Sequence, residues 1–534
     1  MTTADDTVDV LIVGAGAAGA AVAWSLADTK MRILCLEQGD WVRQADYPTN
    51  GRDWESRSDF SGTPNVRQRP EDYPVDDSAS PIKPVNFNGV GGSTILYMAH
   101  FPRLHPSDFR TRTLDGVGED WPISYQDLEP FFAQNDRMMG VAGLPGDPGC
   151  PPKDGLLPPV PLGTLGETVA RGFNALGWHW WPSESAIATE AYNGRDRCVN
   201  LGPCSLGCAQ GAKASTDITY WPEALRRGVE LRTRCRVREI TLDEHGMARG
   251  AVYLDAQGVE REQKAHVVIL AGSGIGTPRL LLNSTSARFP DGLANSSGLV
   301  GRNLMLHCMT LTQGVFDQPL RGWQGPIGCA LWSKEFYETD IARGYARGYT
   351  FEIVRGMGPV TTAAGALARG ALPWGARHHA AFRQLFDRTA TLVGVGEDLA
   401  EERNSITLDH AHPDSDGIPG VRINYRLGEN SLRMLEHAGA RATEVLRAAG
   451  AVAVAPTVTS GVSSGHIMGT ARMGNDPERS VTNAWGRCHD VRNLFIADSS
   501  LFVTSGGVNP TSTLQALALY VADQIKQRLD SLFD

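Results

Sequence analysis

A chain of 534 residues is long enough for two to four domains and a large buried core. Its composition, 42% hydrophobic and 21% charged, is that of an ordinary globular protein. A net charge of −10 without a run of basic residues argues against a nucleic-acid surface, and no apolar stretch of the roughly 18 residues needed to span a membrane is present. The first residues lack the basic-then-apolar pattern of a secretory signal, and nine cysteines is a low, odd count. Both points set the expectation of a cytoplasmic protein.

In chain order, Val8 to Val13 is a β-branched apolar run, Ala17 to Ala27 is small and helix-friendly, and Arg32 to Leu36 is a second buried-type strand. Such a unit builds a parallel sheet with a crossover helix. Residues 45 to 85 are polar and aperiodic and read as a surface excursion or lid. A helix is predicted over Trp121 to Asp136, and residues 142 to 163, rich in Pro and Gly, read as loop. Strands are predicted around Val229 to Leu231, Cys235 to Val237, Ala251 to Tyr253 and Ala265 to Leu270, the last ending in the strand-to-helix turn Ala271-Gly272. Residues 310 to 455 change character. They hold candidate strands at Asn404 to Asp409 and Gly420 to Tyr425, then an amphipathic helix, Leu432 to Ala449, closed by Gly450. The C-terminal part returns to strand, Gly-rich loop and helix: Asn493 to Ala497, then about Thr511 to Leu529.

The turn after the first strand reads Gly14-Ala15-Gly16-Ala17-Ala18-Gly19. Gly14 permits the tight turn, Gly16 lets backbone approach a pyrophosphate, and Gly19 lets helix and strand pack closely. The helix N-terminus offers unpaired N–H groups and partial positive charge to phosphates. Glu37 closes the second strand, 18 residues past Gly19, where a carboxylate can accept both ribose hydroxyls and opposes a 2′-phosphate. The pattern does not separate FAD from NAD.

Two C-terminal segments carry candidate chemistry: Gly465-His466-Ile467-Met468-Gly469-Thr470, and Gly506-Gly507-Val508-Asn509-Pro510-Thr511 before an apolar helix. Pro510 suits the first turn of that helix and Asn509 its cap. By spacing alone, His466 and Asn509 read more readily as structural residues, a cap and a lone histidine, than as a catalytic pair.

Together with Gly89-Val90-Gly91-Gly92-Ser93-Thr94, the run Val268 to Arg279 and Asn493 to Ser499, these blocks resemble the glucose-methanol-choline (GMC) oxidoreductase family over nearly the whole chain. The resemblance implies an α/β fold. A discontinuous Rossmann-type FAD domain would comprise 1–110, 190–310 and 460–534. A substrate domain with a mixed or antiparallel sheet, and a lid, would comprise 111–189 and 311–459. It implies FAD as cofactor and oxidation of CH–OH to a carbonyl by proton abstraction and hydride transfer to flavin N5. His466 would be the base and Asn509 its partner. Gly91, Gly92, Ser93, Tyr97, Met98, Ala271 and Gly272 would lie beside the flavin and its phosphates, with Val237 near the adenine. Asp498 would sit at the pyrophosphate end, and Asn509, Pro510 and Thr511 at the flavin ring. Tyr97 and Met98 stand where many relatives place a small polar residue.

The segment Gly91 to Arg103 is similar to the flavin-linkage segment of pyranose oxidases, but Leu96 occupies the position of the linking histidine. Leucine cannot form that bond, so non-covalent FAD is expected, with His100 a structural residue. A sugar or glycoside oxidised by an oxidase, possibly at C3, is the leading substrate expectation. The alternative is a dehydrogenase of an aromatic or aliphatic alcohol that passes electrons to a quinone or protein. A non-catalytic flavoprotein and an NAD-dependent dehydrogenase are the other readings weighed. The partners expected are a small alcohol or glycoside and an oxygen- or quinone-type acceptor, with the oligomeric state left open. Cys198, Cys204 and Cys208 lack a nearby fourth thiolate, so no metal is expected. Trp178, Trp180 and Trp181 around His179 suit either packing or a sugar platform, and His378 and His379 read as surface residues.

Overall fold

In the computed structural model the described residues are 7–47, 49, 70–326, 328, 330–355, 358–368 and 370–532. The first six residues and most of the polar excursion expected as a lid lie outside them. The elements that position the site are, in order, β1 (Val8–Val13), α1 (Ala17–Leu26), β2 (Ile33–Leu36), α2 (Tyr125–Met139), β3 (Glu230–Arg232), β4 (Arg236–Leu242), β5 (Ala248–Leu254), β6 (Glu260–Leu270), α3 (Ser273–Asn283), β7 (Cys308–Val315), β8 (Leu331–Ser333), β9 (Tyr349–Val354), β10 (Thr389–Gly396), α4 (Glu429–Ala448), β11 (Leu494–Ile496) and α5 (Thr511–Gln527).

The first sheet has seven strands in the order β3-β2-β1-β6-β5-β4, with β11 also beside β6. β1 runs parallel to both β2 and β6, in the register Val10↔Ile33 and Val10↔Val267. Strand β6 does two jobs. Its polar first half pairs antiparallel with β5, and its apolar second half pairs parallel with β1 and β11. The burial pattern follows, exposed at Glu260–Glu262 and fully buried at Val268–Leu270. Val10, Leu11 and Ile12 are completely buried, each worth roughly 1.5–3 kcal/mol of burial. Helix α1 can lie on this sheet because it is built from Ala and Gly, and α5 packs beside it with Ala516, Leu517, Leu519 and Val521 buried.

The second sheet has six strands, all antiparallel: Ala453–Val454, β7, β10, β9, β8 and Trp181–Pro182. Alternation divides its faces. Cys308, Leu392 and Phe351 pack with Met434, Leu435 and Ala438 of α4. Met309, Leu311, Glu352, Val354, Val393 and Val395 point the other way and line a cavity. The molecule is therefore α/β, with a Rossmann-like sheet facing an antiparallel one.

One helix starts later than its sequence suggests. A reciprocal cap, with Asp127 N–H on Ser124 Oγ at 3.3 Å and Ser124 N–H on Asp127 Oδ2 at 2.8 Å, begins α2 at Tyr125. Trp121, expected as its first residue, is instead buried between Phe109 and Phe502.

Candidate active site

Residues from both sheets line one cavity of about 770 Å³. At one end lie Gly14, Gly16, Ala17, Ala18, Glu37 and Val237; at the other lie His466, Asn509 and the second sheet. Gly14 adopts φ 104°, and a Cβ there would sit 2.5 Å from the Ala271 carbonyl oxygen. Gly19 does not face the cavity. A Cβ on it would lie 1.9 Å from the Gly14 carbonyl oxygen, so only glycine lets α1 pack on this turn. The Glu37 carboxylate is buried and accepts the Ala15 and Gly39 N–H groups at 2.7 and 2.8 Å. Each oxygen keeps a lone pair for a ribose hydroxyl. Burial raises its pKa, partly offset by those N–H groups.

The middle of the cavity is lined by Gly92, Ser93, Leu96, Tyr97, Met98, Ala271 and Gly272. Gly91, expected beside the flavin, stands behind this wall. Its carbonyl accepts the Thr94 and Thr216 hydroxyls at 2.5 and 3.3 Å, which fixes the turn that presents Gly92. Asp498 reaches the lining, yet both its oxygens are engaged within the protein. Oδ1 accepts from Ser500 N–H and Oγ, and Oδ2 accepts from Ser273 N–H and Thr277 Oγ1. It ties the start of α3 to the strand end after β11.

At the far end, Asn509, Pro510 and Thr511 open α5 into the cavity. The loop before them is buried and pinned from several sides. Trp121 Nε1 donates to Thr504 Oγ1 at 2.7 Å, Thr504 Oγ1 to the Asp108 carbonyl at 2.8 Å, and Asp398 N–H to Ser505 Oγ at 2.8 Å. The Asn509 side chain stands beside Glu352 and offsets part of the rise that burial gives its carboxyl pKa.

His466 follows the short strand Val462–Ser464, and its N–H donates to Ser464 Oγ at 3.1 Å. Its ring meets one that sequence reasoning missed. Met305 and Met468 exchange backbone hydrogen bonds of 3.0 Å as an antiparallel pair. Two residues along each segment, His307 and His466 therefore oppose one another, with Nδ1 to Nδ1 at 2.9 Å. His307 Nε2 lies 2.7 Å from the Gly506 carbonyl oxygen and 3.1 Å from that of Ser505. Carbonyls only accept, so His307 carries its proton on Nε2 and its Nδ1 is bare. His466 must then donate from Nδ1, which leaves His466 Nε2 bare and able to take a proton. Burial pushes His307 down to about 4, and burial with His307 and His100 nearby pushes His466 well below the usual histidine range. Both rings are neutral at physiological pH. No sequence signal marks His307, which ends an ordinary apolar run.

Two further groups line this end without having been singled out for it. His100, expected as structural, is buried in the cavity wall with its pKa lowered by burial to about 4. Its Nε2 lies 3.4 Å from Glu352 Oε2.

The sequence and fold match known proteins along their full length. Residues 164–309 and 400–518 match the GMC oxidoreductase family, and residues 12–46 match the NAD(P)-binding Rossmann-like domain. The chain is 42% identical to 2-methyl-1,2-propanediol dehydrogenase of Mycolicibacterium austroafricanum, over 100% of this chain and 98% of that protein. The chain belongs to the GMC oxidoreductase family. It is also 29% identical to paromamine 6'-oxidase of Streptomyces fradiae, over 98% and 92% of the two chains. Its fold is similar to that of pyridoxine 4-oxidase from Mesorbium loti, with TM-score 0.64 and 18% identity over 97% and 99% of the chains.

This GMC oxidoreductase is an FAD-dependent enzyme acting on alcohols, and its cavity fits that cofactor. Glycine backbone, a helix N-terminus and a buried ribose-side carboxylate stand at one end, and a bare imidazole nitrogen with an amide at the other. The three tryptophans 178, 180 and 181 lie outside the lining. Trp178 stacks edge-on to Phe336, Trp180 donates to Asn174, and Trp181 to the Leu144 carbonyl, which is packing and not a sugar platform. Cys198, Cys204 and Cys208 are free thiols. Among the described residues no helix is long and apolar enough to cross a membrane.

Proposed function

We propose that this enzyme oxidises a small aliphatic alcohol, with His466 Nε2 taking the hydroxyl proton and Asn509 holding the same oxygen. Bound in the cavity, FAD supplies the hydride acceptor. The observation that carries the reading is the bare Nε2 enforced by the His307 contact. A neutral imidazole accepts the proton, and the Asn509 amide steadies charge on the oxygen. The first turn of α5, immediately after Asn509, adds the positive end of a helix to the same region.

The wall opposite is made by Met309, Leu311, Val354, Val393 and Val395. Such a surface suits a short aliphatic chain better than a glycoside, whose many hydroxyls would be buried without partners. The similarity to a diol dehydrogenase supports the same reading, and supports an acceptor other than oxygen. A sugar or glycoside oxidised at the expense of oxygen is the second reading, favoured by the similarity to paromamine 6'-oxidase. We further propose non-covalent FAD, since Leu96 offers no nucleophile, and the division into an FAD domain and a substrate domain set out above.

The test is His466→Ala. A general base contributes on the order of 100- to 10,000-fold. The variant is expected to keep its flavin spectrum and lose that factor in anaerobic flavin reduction. A wild-type rate refutes the assignment.

A further inference from the structure

The second-sheet residues that line the cavity are apolar except at one position. Glu352 lies directly opposite Val393, which lies opposite Leu311, so the carboxyl stands in a cross-strand row of apolar side chains. The residue is 5% exposed. Its Oε1 and the Oδ1 of Asn509 both lack a hydrogen-bond partner among the described residues. Lys334 acts on Glu352 through space, while its ammonium bonds elsewhere. Lys334 Nζ donates to Cys150 Sγ at 2.6 Å and meets His105 Nε2 at 3.1 Å. His100 stands 3.4 Å away but is neutral.

A buried polar atom with no partner costs about 1–3 kcal/mol, and a packed aliphatic wall gives no structural reason to keep one. Glu352 lines the same cavity as His466 and Asn509, and the Asn509 side chain acts on its carboxyl. Under the proposed function Asn509 holds the reacting oxygen. Glu352 and Asn509 line the same cavity, so a second substrate hydroxyl bound by Glu352 falls close to the one oxidised.

We propose that Glu352 is a specificity residue that recognises a second hydroxyl close to the one oxidised, making short diols the preferred substrates. Burial raises the Glu352 pKa to about 8, so at neutral pH the group is a carboxylic acid that both donates and accepts. A neutral acid fits a hydroxyl, which offers one donor and two lone pairs. It does not fit a cationic or carboxylate substrate. The inference rests on the alcohol-oxidation reading above and adds the substrate class.

The experiment compares anaerobic flavin bleaching by 1,2-propanediol, 1,3-propanediol and 1-propanol in wild type, Glu352→Gln and Glu352→Leu. The readout is the ratio of kcat/KM between substrates, because loss of the Asn509 contact slows every substrate alike. Sites built to hydrogen-bond a hydroxyl reject analogues lacking it strongly. Wild type is expected to favour 1,2-propanediol over 1-propanol by about 100-fold or more. E352Q, which still donates and accepts, keeps most of that preference, and E352L loses it. A wild type with no diol preference overturns the inference without any variant needing to fold. An E352L enzyme with bound flavin and an unchanged ratio overturns it too. If 1-propanol and both diols bleach equally, only the role of Glu352 fails. If none bleaches while a methyl glycoside does, the small-alcohol reading falls with it.

Discussion

His307 offers a sharp test of how the site is built, because it touches His466 and two backbone carbonyls and does not itself line the cavity. In His307→Phe the ring volume remains and both hydrogen bonds vanish. The Ser505 and Gly506 carbonyls lose their donor, at about 1–3 kcal/mol. Position 307 has φ 52°, a left-handed conformation that His307 already bears, so the substitution adds little backbone strain. A stability loss of about 1–3 kcal/mol is therefore expected. The kinetic effect has a separate origin. Without its partner, His466 is free to turn and to carry its proton on either nitrogen. The imidazolium formed on proton transfer also loses a hydrogen bond of the charged kind, worth about 1.5–3 kcal/mol. The limiting rate of flavin reduction should fall about 10- to 100-fold, with the substrate constant nearly unchanged. His307→Asn tolerates the left-handed backbone and can still donate to a carbonyl, so it should recover stability more than rate. Because His307 acts through His466, adding His307→Phe to His466→Ala should cost little further rate. Stopped-flow reduction under anaerobic conditions, with flavin content and Tm measured in parallel, decides the matter. A flavin-loaded H307F enzyme at wild-type rate, or losses that simply multiply in the double variant, would refute the reasoning.

Three other outcomes follow from the same geometry. Gly19→Ala places a Cβ against the Gly14 carbonyl oxygen and should cost about 3 kcal/mol or more, seen as a lower Tm and weaker flavin retention; an unchanged Tm counts against the packing described. Burial raises Glu352 from 4.5 to about 8 when folded, against the opposing effects of Asn509 and Lys334 and with His100 beside it. A raised acid binds its proton more tightly folded than unfolded. Its contribution is present below the unfolded value and is lost as pH rises through the folded one, so Glu352→Gln should gain stability over wild type between about pH 4.5 and 8, by up to roughly 5 kcal/mol; a pH-independent Tm difference contradicts this. Acid precipitation should release all the flavin into the supernatant, and a yellow pellet would show a covalent bond.

Near its N-terminus the chain was legible because the relevant contacts are local. The β1 turn, the three glycines and Glu37 lie within about one βαβ unit, and each residue answers to the backbone next to it. The amphipathic helix α4 and the strand β6 were readable for the same reason, as periodicity is a property of neighbours. Where only one side of a contact was local, the reading slipped. Gly91 has the sequence of a flavin-side glycine, but two hydroxyl contacts turn it into the support for Gly92.

The sequence by itself determined the nucleotide end of the cavity, the class of fold, and the presence of one histidine and one asparagine in segments able to face a flavin. Only the tertiary structure decided which proton His466 carries, since that depends on a ring 159 residues away brought opposite by the pairing of Met305 with Met468. It also decided that the one carboxyl on an aliphatic wall belongs to Glu352, in a strand whose sequence reads as ordinary core. Tautomer and specificity depend on what each side chain meets across the fold, and residues remote in sequence leave no periodic trace of that meeting.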